Sequence, residues 1–345
     1  MACVTFSIQN SRNSCTGGET LASLLEIHDL SVEYHTFEGR AQAVNHLHLV
    51  VGGGESLGLV GETGAGKTTT ALSILRLLPQ PVGRIVGGEI KFKGRNILEL
   101  PELEMRRLRG NEISMIFQNP MTSLNPVFTV GEQIAAVLAQ HQGLQPREAQ
   151  ERAGGMLEVV GIPAYRANEY PHQFSGGMRQ RVGIAMALAC RPELLIADEP
   201  TTALDVTIQA QVLALMNELK EKFRMSLIMI THNLGIVAEI CDRVAVMYAG
   251  SIVESGTVAA VFGAPAHPYS RGLFGSLPDL ERRSRRLRPV EGMMPDPLHL
   301  PRGCAFYPRC PEAAAACVGE RPNLVPVAQD HSVACLKAGR GGRGR

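Results

Sequence analysis

The chain has 345 residues, a formal net charge of +1 at pH 7 and eight cysteines. This length allows two domains that each bury a core, and the near-neutral charge argues against a dedicated nucleic-acid-binding protein, which would be visibly basic. No apolar run approaches the ~20 residues that span a bilayer. We therefore expect a cytosolic protein whose cysteines are reduced or metal-bound.

The N-terminal part predicts a tail followed by strands and a helix. Residues 1–23 are polar and lack the basic and apolar segments of a signal peptide, which predicts a mobile tail. Alternating apolar residues predict strands over 25–34 and 47–51. The apolar run 57–60 predicts a buried strand, and residues 69–78 predict a helix stopped by Pro79.

The loop between that strand and that helix matches the G-x-x-x-x-G-K-[ST] pattern of phosphate-binding loops. Glycines carry no Cβ and allow positive φ, so consecutive backbone N–H groups can wrap the β- and γ-phosphates of a nucleotide. Lys67 supplies a positive charge to the phosphate oxygens, and the Thr68 hydroxyl is a candidate Mg²⁺ ligand. The predicted nucleotide-binding residues are Gly61, Glu62, Thr63, Gly64, Ala65, Gly66, Lys67, Thr68 and Thr69.

Strands and helices alternate through the following part of the chain. Strands are predicted over 89–93, 112–117, 193–198 and 225–231, and helices over 102–108, 130–140, 147–160, 179–190 and 206–223. Alternation of this kind around a phosphate loop predicts an α/β fold with a mostly parallel sheet. The helices between Gln118 and Glu193 predict a subdomain inserted into that sheet.

Polar residues stand where three of the predicted strands end. Asp198 and Glu199 follow a buried strand, and adjacent carboxylates in that position need a partner or a metal; a helix-capping turn is the alternative. Asp198 fits a Mg²⁺ ligand, and Glu199 fits the residue that orients and deprotonates water. His232 is placed to reach a γ-phosphate. Gln118 also stands at a strand end, so these side chains predict one site beyond the carboxyl ends of the strands.

A second candidate anion cradle lies at residues 174–178. Ser175, Gly176 and Gly177 open the helix predicted up to Cys190, and small residues at a helix start leave backbone N–H groups free for an anion. The chain would then have two phosphate cradles but only one lysine-bearing loop. The residues alone do not resolve this mismatch.

The character of the sequence changes after Gly256, where Pro and Arg become frequent. The basic run Glu281–Arg288 predicts a solvated linker, with an anionic membrane surface or RNA as alternatives. Four cysteines, Cys304, Cys310, Cys317 and Cys335, are separated by 5, 6 and 17 residues. This spacing matches neither a zinc finger nor a ferredoxin. Four thiols in a Pro-rich segment nevertheless suggest that a metal supplies folding energy.

These motifs together resemble the ATPase subunits of ATP-binding-cassette (ABC) transporters. Residues 61–68 resemble the family's Walker A motif, and residues 194–199 resemble its Walker B motif. Gln118 stands where the family has its Q-loop, and residues 175–178 resemble its signature motif. Residues 203–205 resemble its D-loop, and His232 resembles its switch histidine. The resemblance implies a P-loop NTPase (RecA-like) core over 24–257 with an antiparallel β subdomain and a helical signature subdomain near 119–190. It also implies nucleotide contacts from Asp205 and adenine stacking on Tyr34, with core packing of that tyrosine as the alternative. For Gln118 it implies a role as a further Mg²⁺ ligand and catalytic residue.

The family accounts for the second cradle, because two subunits dimerise head to tail and the signature of one closes on the ATP of the other. Phe174 and Met178 depart from the general signature and are familiar in peptide importers. Gln118–Pro126, His267–Tyr269 and Pro301–Pro311 resemble the dipeptide, oligopeptide and nickel importer group. The extension would then span 258–338, followed by a Gly/Arg tail over 339–345.

The resemblance implies a membrane-peripheral ATPase on the cytoplasmic face of the inner membrane, using ATP and Mg²⁺. Its implied partners are a second ABC ATPase, expected to be a different chain, two permease subunits and an extracytoplasmic substrate-binding protein, with no nucleic acid. For the four cysteines it favours a [4Fe-4S] cluster, with Zn²⁺ or free thiols as alternatives. Peptides, nickel chelates and opines share this pattern as cargo. A soluble ABC ATPase outside transport and an iron–sulfur redox sensor are the rival functions.

Overall fold

The computed structural model describes residues 23–118, 123–202, 204–276 and 290–338. The predicted basic run Glu281–Arg288, the tail over 339–345 and most of the N-terminal tail lie outside these ranges. Ser23 already belongs to the first strand, so the predicted tail is one residue too long.

The described strands form two sheets, one of four strands and one of eight. They are β1 (Ser23–Thr36), β2 (Gly39–Gly52), β3 (Ser56–Val60), β4 (Gly83–Phe92), β5 (Arg95–Asn96), β6 (Ile113–Ile116), β7 (Leu194–Asp198), β8 (Ser226–Ile230), β9 (Arg243–Tyr248), β10 (Ser251–Thr257), β11 (Val325–Ala328) and β12 (His331–Val333).

The described helices flank these sheets. They are α1 (Lys67–Ile74), α2 (Glu102–Leu108), α3 (Val130–Gln142), α4 (Pro146–Val159), α5 (Gly176–Leu188), α6 (Val206–Phe223), α7 (Leu234–Ile240), α8 (Val258–Gly263), α9 (Pro268–Gly275) and α10 (Ala316–Gly319). Within the described ranges, no helix has both the length and the apolar character needed to cross a membrane.

The larger sheet has the order β11-β12-β10-β9-β3-β8-β7-β6. The strands from β9 through β3, β8 and β7 to β6 pair in parallel, as predicted. Strands β3, β7 and β8 are buried at every position, which explains their continuous apolar sequences. The carboxyl ends of β3, β6, β7 and β8 therefore lie along one edge of the sheet.

The smaller sheet is antiparallel, in the order β2-β1-β4-β5. Alternate residues of its strands, among them Leu25, Ile27 and Leu47, are fully buried in an apolar cluster that also contains Leu57 of β3 and Ile74 of α1. Helices α3 to α5 pack on a second cluster, which extends to Phe306 and Tyr269. The first cluster fixes the phosphate loop between the two sheets.

Helix α1 ends earlier than the sequence predicts. The prediction extended it to Leu78, where Pro79 would stop it, whereas the structure ends it at Ile74 and places Arg76 at φ 50°. The side chain of Arg109 donates hydrogen bonds to the carbonyls of Leu75 and Arg76, at 2.6 and 3.3 Å. These bonds satisfy carbonyl groups at the helix end, a tertiary effect that local sequence does not reveal.

The C-terminal extension continues the core sheet. Strand β12 pairs with β10, and β11 pairs with β12. A buried Glu254 on β10 accepts hydrogen bonds from the backbone of Ala266 and His267, and its Oε1 lies 2.7 Å from Nε2 of the buried His331 on β12. The extension therefore shares a sheet and a core with the preceding part of the chain, which the sequence did not predict.

Candidate functional site

The loop from Gly61 to Gly66 curls between β3 and α1 because its glycines take backbone angles that other residues avoid. Gly61, Gly64 and Gly66 have φ values of 153°, 84° and 104°. A Cβ on Gly61 would lie 2.2 Å from the carbonyl oxygen of Met247, and one on Gly66 would lie 2.4 Å from that of Ala43. Glycine is required at both positions by conformation and by space, which keeps the N-terminus of α1 open.

Lys67 is buried at the start of α1. Its Nζ donates hydrogen bonds to the carbonyls of Gly61 and Glu62, at 2.8 and 2.9 Å. Burial lowers the pKa of Lys67, while the carboxylates of Glu199, Asp198 and Glu62 oppose that shift. The ammonium group is thus held at the phosphate loop by two backbone carbonyls, and the nearby carboxylates favour its charged form.

Asp198 lies at the end of β7 and is buried beside Thr68. Burial raises the pKa of Asp198, and a hydrogen bond with the Thr68 side chain opposes that rise. A hydroxyl and a carboxylate in contact beside a phosphate loop match the donors of a Mg²⁺ ion, which takes one or two carboxylates together with substrate phosphates. These residues fit Mg²⁺ with its nucleotide.

Glu199 carries the densest hydrogen-bond network of the site. Its carboxylate accepts bonds from Nε2 of Gln118 and Oγ1 of Thr202, each at 3.0 Å, and lies 3.1 Å from Nδ1 of His232. Burial pushes the pKa of Glu199 upward, but the bonds from His232, Thr202 and Gln118 outweigh it, so the pKa is lowered. Its φ of 45° is in the left-handed region, a strain typical of functional sites.

A pocket of about 680 Å³ joins these elements. Its volume is in the range of ligand pockets. Tyr34 lies on its wall, with its hydroxyl 3.2 Å from Oγ1 of Thr69. The predicted site residues that line this pocket are Tyr34, Gly61, Glu62, Thr63, Gly64, Gly66, Lys67, Thr68, Thr69, Gln118, Glu199 and His232.

Five predicted nucleotide contacts lie outside that lining: Ala65, which is fully buried within the loop, and four residues elsewhere on the chain. Ser175 caps the N-terminus of α5 by accepting a hydrogen bond from the backbone of Met178, and it is exposed together with Gly176. Gly177 packs against Ile208, since a Cβ there would meet the Ile208 side chain at 2.4 Å. Asp205 caps α6. The structure leaves Ser175 and Gly176 open to a neighbouring molecule.

Sequence reasoning missed residues that support the phosphate loop from the extension. The backbone N–H of Glu62 donates to the hydroxyl of Tyr269 at 2.9 Å, and the Glu62 carboxylate pairs with Arg309 at 3.0 Å. Pro297 lines the nucleotide pocket and accepts a hydrogen bond from the backbone of Gln42. The His-Pro-Tyr and Cys-rich motifs marked this region without indicating a contact with the loop.

The four C-terminal cysteines line one narrow pocket together with His267. Burial raises the pKa values of the Cys304 and Cys310 thiols, and the neighbouring cysteines add to the rise. No group of three or more Cys, His, Asp or Glu in the described ranges is arranged to hold a metal ion. This arrangement therefore shows neither zinc, which needs sulfurs at about 2.3 Å from one centre, nor an iron–sulfur cluster, although four thiols are the donor set that such a cluster takes.

Comparisons with known proteins agree with this geometry. The family model described as ABC transporter matches residues 44–202, and the one described as oligopeptide/dipeptide transporter, C-terminal region, matches residues 253–317. An ATP-binding cassette solved as a dimer in a post-hydrolysis state bound to ADP and Pi aligns with a TM-score of 0.61 and 25% identity. That alignment covers 68% of this chain and 98% of the cassette.

Curated relatives match over most of the chain. A probable peptide ABC transporter ATP-binding protein of Sinorhizobium fredii is 52% identical over 91% of this chain and 95% of its own length. The oligopeptide transport ATP-binding protein OppD of Salmonella typhimurium is also 52% identical, over 91% of this chain and 93% of its own length. The predicted family and fold class are confirmed: the chain belongs to the ABC transporter ATPases, among the ATP-binding proteins of the oligopeptide/dipeptide group.

Proposed function

We propose that this protein hydrolyses Mg-ATP to drive the uptake of short peptides through membrane permease subunits. The observation that carries the proposal is the convergence of the phosphate loop, Gln118, Glu199 and His232 on one pocket. The resemblance of the whole chain to peptide transport ATP-binding proteins supports the peptide cargo.

In this mechanism the loop binds the triphosphate through its backbone N–H groups. Lys67 releases the carbonyls of Gly61 and Glu62 and turns its charge to the β- and γ-phosphate oxygens. Thr68, Asp198 and Gln118 would hold the Mg²⁺ ion, which when bound would supply positive charge to offset the negative charge that develops on the phosphates. Tyr34 stacks on the adenine.

Hydrolysis depends on the carboxylate of Glu199. With its pKa lowered it remains ionised, and it accepts a proton from the water that attacks the γ-phosphate. His232, which contacts Glu199, donates to the γ-phosphate and so signals its presence. Gln118 holds the carboxylate in place until nucleotide binds.

The site is completed by a second ATPase subunit, which we propose to be a different chain. Ser175, Gly176 and Gly177 of one subunit close on the ATP of the other, supported by the exposure of Ser175 and Gly176. Asp205 contributes at the same interface. Nucleotide binding then closes the pair and hydrolysis reopens it, as in ligand-driven domain closure.

The membrane subunits dock beside the Q-loop. Phe117, next to Gln118, and Val127 and Phe128, just before α3, expose 44, 70 and 50% of their surfaces. Exposed large apolar side chains are candidates for a protein interaction site. We place the protein at the cytoplasmic face of the inner membrane. It is held there by two permease subunits, and cargo is delivered by an extracytoplasmic binding protein.

Uptake in a strain that lacks the gene tests this function. Wild-type protein should restore accumulation of labelled short peptides, and Lys67→Ala should not, because it loses the charge that holds the phosphates. Lys222→Ala, at an exposed position on α6, is the matched control. Restored nickel or opine uptake in place of peptide uptake would identify the other cargo class, and uptake by Lys67→Ala would contradict the mechanism.

We further propose that Cys304, Cys310, Cys317 and Cys335 hold a [4Fe-4S] cluster. The support is that all four line one pocket and that three of them lie within residues 253–317, which the oligopeptide/dipeptide C-terminal family model matches. Anaerobically purified protein should show visible cluster absorption and stoichiometric iron. Cys310→Ser should lose both the absorption and the iron. Cys241→Ser, which replaces a buried cysteine at the end of α7, should keep both. Colourless protein containing zinc, or containing neither metal, would exclude the cluster.

A further inference from the structure

Arg309 joins the C-terminal extension to the phosphate loop through a buried network. Only 6% of its side chain is exposed. Its Nη1 atom donates hydrogen bonds to Oε2 of Glu62 at 3.0 Å and to the hydroxyl of Tyr248 at 3.3 Å. Nη2 and Nε donate to the carbonyls of Val290 and Glu291, at 3.1 and 2.8 Å. The guanidinium therefore fixes the extension and the loop relative to each other.

The charge of Glu62 makes this contact important for the nucleotide. Glu62 lines the pocket, and its carboxylate is close enough to Lys67 to influence it electrostatically. An unpaired carboxylate at that position would repel a triphosphate, and repulsion in a partly buried site is far stronger than in water. The backbone of Glu62 is also held in place, because its N–H donates a hydrogen bond to the hydroxyl of Tyr269.

We infer that Arg309 is a positioning residue for the phosphate loop: it neutralises Glu62 and holds that carboxylate away from the bound phosphates. The extension thereby sets the affinity of the site for Mg-ATP. Arginine suits this role because its planar fork reaches one carboxylate and several carbonyls at once, which a lysine does not. The inference rests on the proposed function, in that the pocket binds Mg-ATP.

The test measures Mg-ATP dissociation constants of the full chain with a fluorescent ATP analogue, together with kcat and KM. Arg309→Met should weaken binding about tenfold, within the range of typical coupling between sites, because it leaves Glu62 unpaired. Glu62→Gln should bind ATP more tightly than wild type. The dissociation constant of the double variant E62Q/R309M should lie within about threefold of that of Glu62→Gln, since no carboxylate remains to repel the phosphates.

Arg321→Met is the matched control. Arg321 also ties the extension to the core, through the carbonyl of Asn45 and the hydroxyl of Ser251, but it does not contact the loop. Its substitution should leave ATP affinity unchanged. Melting curves of all variants accompany the binding data, and the Glu62→Gln result stands by itself if Arg309→Met does not fold, because Glu62 is partly exposed.

Three results would overturn the inference. They are equal ATP affinity in Arg309→Met and Arg321→Met, a loss of ATP affinity in Arg309→Met that the added Glu62→Gln does not relieve, and failure of Glu62→Gln to tighten ATP binding. Failure of the proposed function looks different, because the wild-type chain itself would then not bind Mg-ATP.

Discussion

At the residue scale, the site depends on the Glu199 carboxylate, whose pKa is subject to two opposing influences. Burial favours the protonated form of Glu199, whereas hydrogen bonds from His232, Thr202 and Gln118 favour the ionised form and prevail. An ionised carboxylate with a restricted orientation is what a general base requires. The positive φ of Glu199 turns it out of the line of β7 toward the pocket.

Replacing that carboxylate separates binding from chemistry. Glu199→Gln should keep Mg-ATP binding while reducing the turnover rate by roughly 10²–10⁴-fold, the usual contribution of general acid–base catalysis. Steady-state ATPase assays and equilibrium nucleotide binding check the two parts. Turnover at the wild-type rate would remove Glu199 from the mechanism, whereas Lys67→Ala should lose tight binding itself.

The hydroxyl of Thr202 gives a pH-dependent prediction. Because its hydrogen bond lowers the pKa of Glu199, Thr202→Val should raise that pKa. The general base is active when ionised, so the acid side of the pH–rate profile should move to higher pH, while the rate in alkaline buffer changes little. Thr202→Ser keeps the hydroxyl and should retain the wild-type profile. If the acid sides of the pH–rate profiles coincide in wild type, Thr202→Val and Thr202→Ser, the proposed hydrogen-bond network is contradicted.

At the element scale, the sequence predicted well those features that local pattern determines. Helices α2 and α6 have the predicted bounds, and the loop at Gly61–Gly66 has the predicted strand-loop-helix context. Glu199 and His232 meet because parallel strands end at a common edge. The pairing of β12 with β10 was not predictable, because the short segments 325–328 and 331–333 lack a distinct strand pattern and are ordered by a distant partner.

The contact between β10 and β12 makes a prediction about stability. Glu254→Ala would leave His331 buried without its partner and would free two backbone donors. An unsatisfied buried hydrogen-bonding group typically costs about 1–3 kcal/mol, so the free energy of unfolding should fall by at least that order. Glu254→Gln keeps an acceptor for the backbone and should lose less. Urea denaturation measures the difference, and equal stability of both variants would refute the proposed contribution.

At the scale of the whole molecule, the two halves of the proposed composite site lie apart on one chain. The pocket is lined by the phosphate loop, whereas Ser175 and Gly176 are exposed elsewhere. We therefore expect Glu199→Gln, which binds ATP without rapid hydrolysis, to form an ATP-dependent dimer with its companion ATPase. Light scattering during size-exclusion chromatography measures the mass with ATP and with ADP.

Ser175→Arg provides the control for that experiment, because a bulky cation at the exposed helix start should block closure while leaving the loop intact. A complex that forms equally well with this substitution would contradict the head-to-tail arrangement. A complex of Glu199→Gln with itself alone would show that the second ATPase is an identical copy.

The continuous sheet through β10, β12 and β11 has a consequence for how such cassettes can be recombined. A protein cut after Thr257 would expose the backbone of β10 as an open edge, a template for aggregation, and would strand the negative charge of Glu254 in the interior. Chimaeras that exchange only the segment up to Thr257 between transporters should therefore precipitate. Chimaeras that exchange the whole segment up to residue 338 should remain in solution.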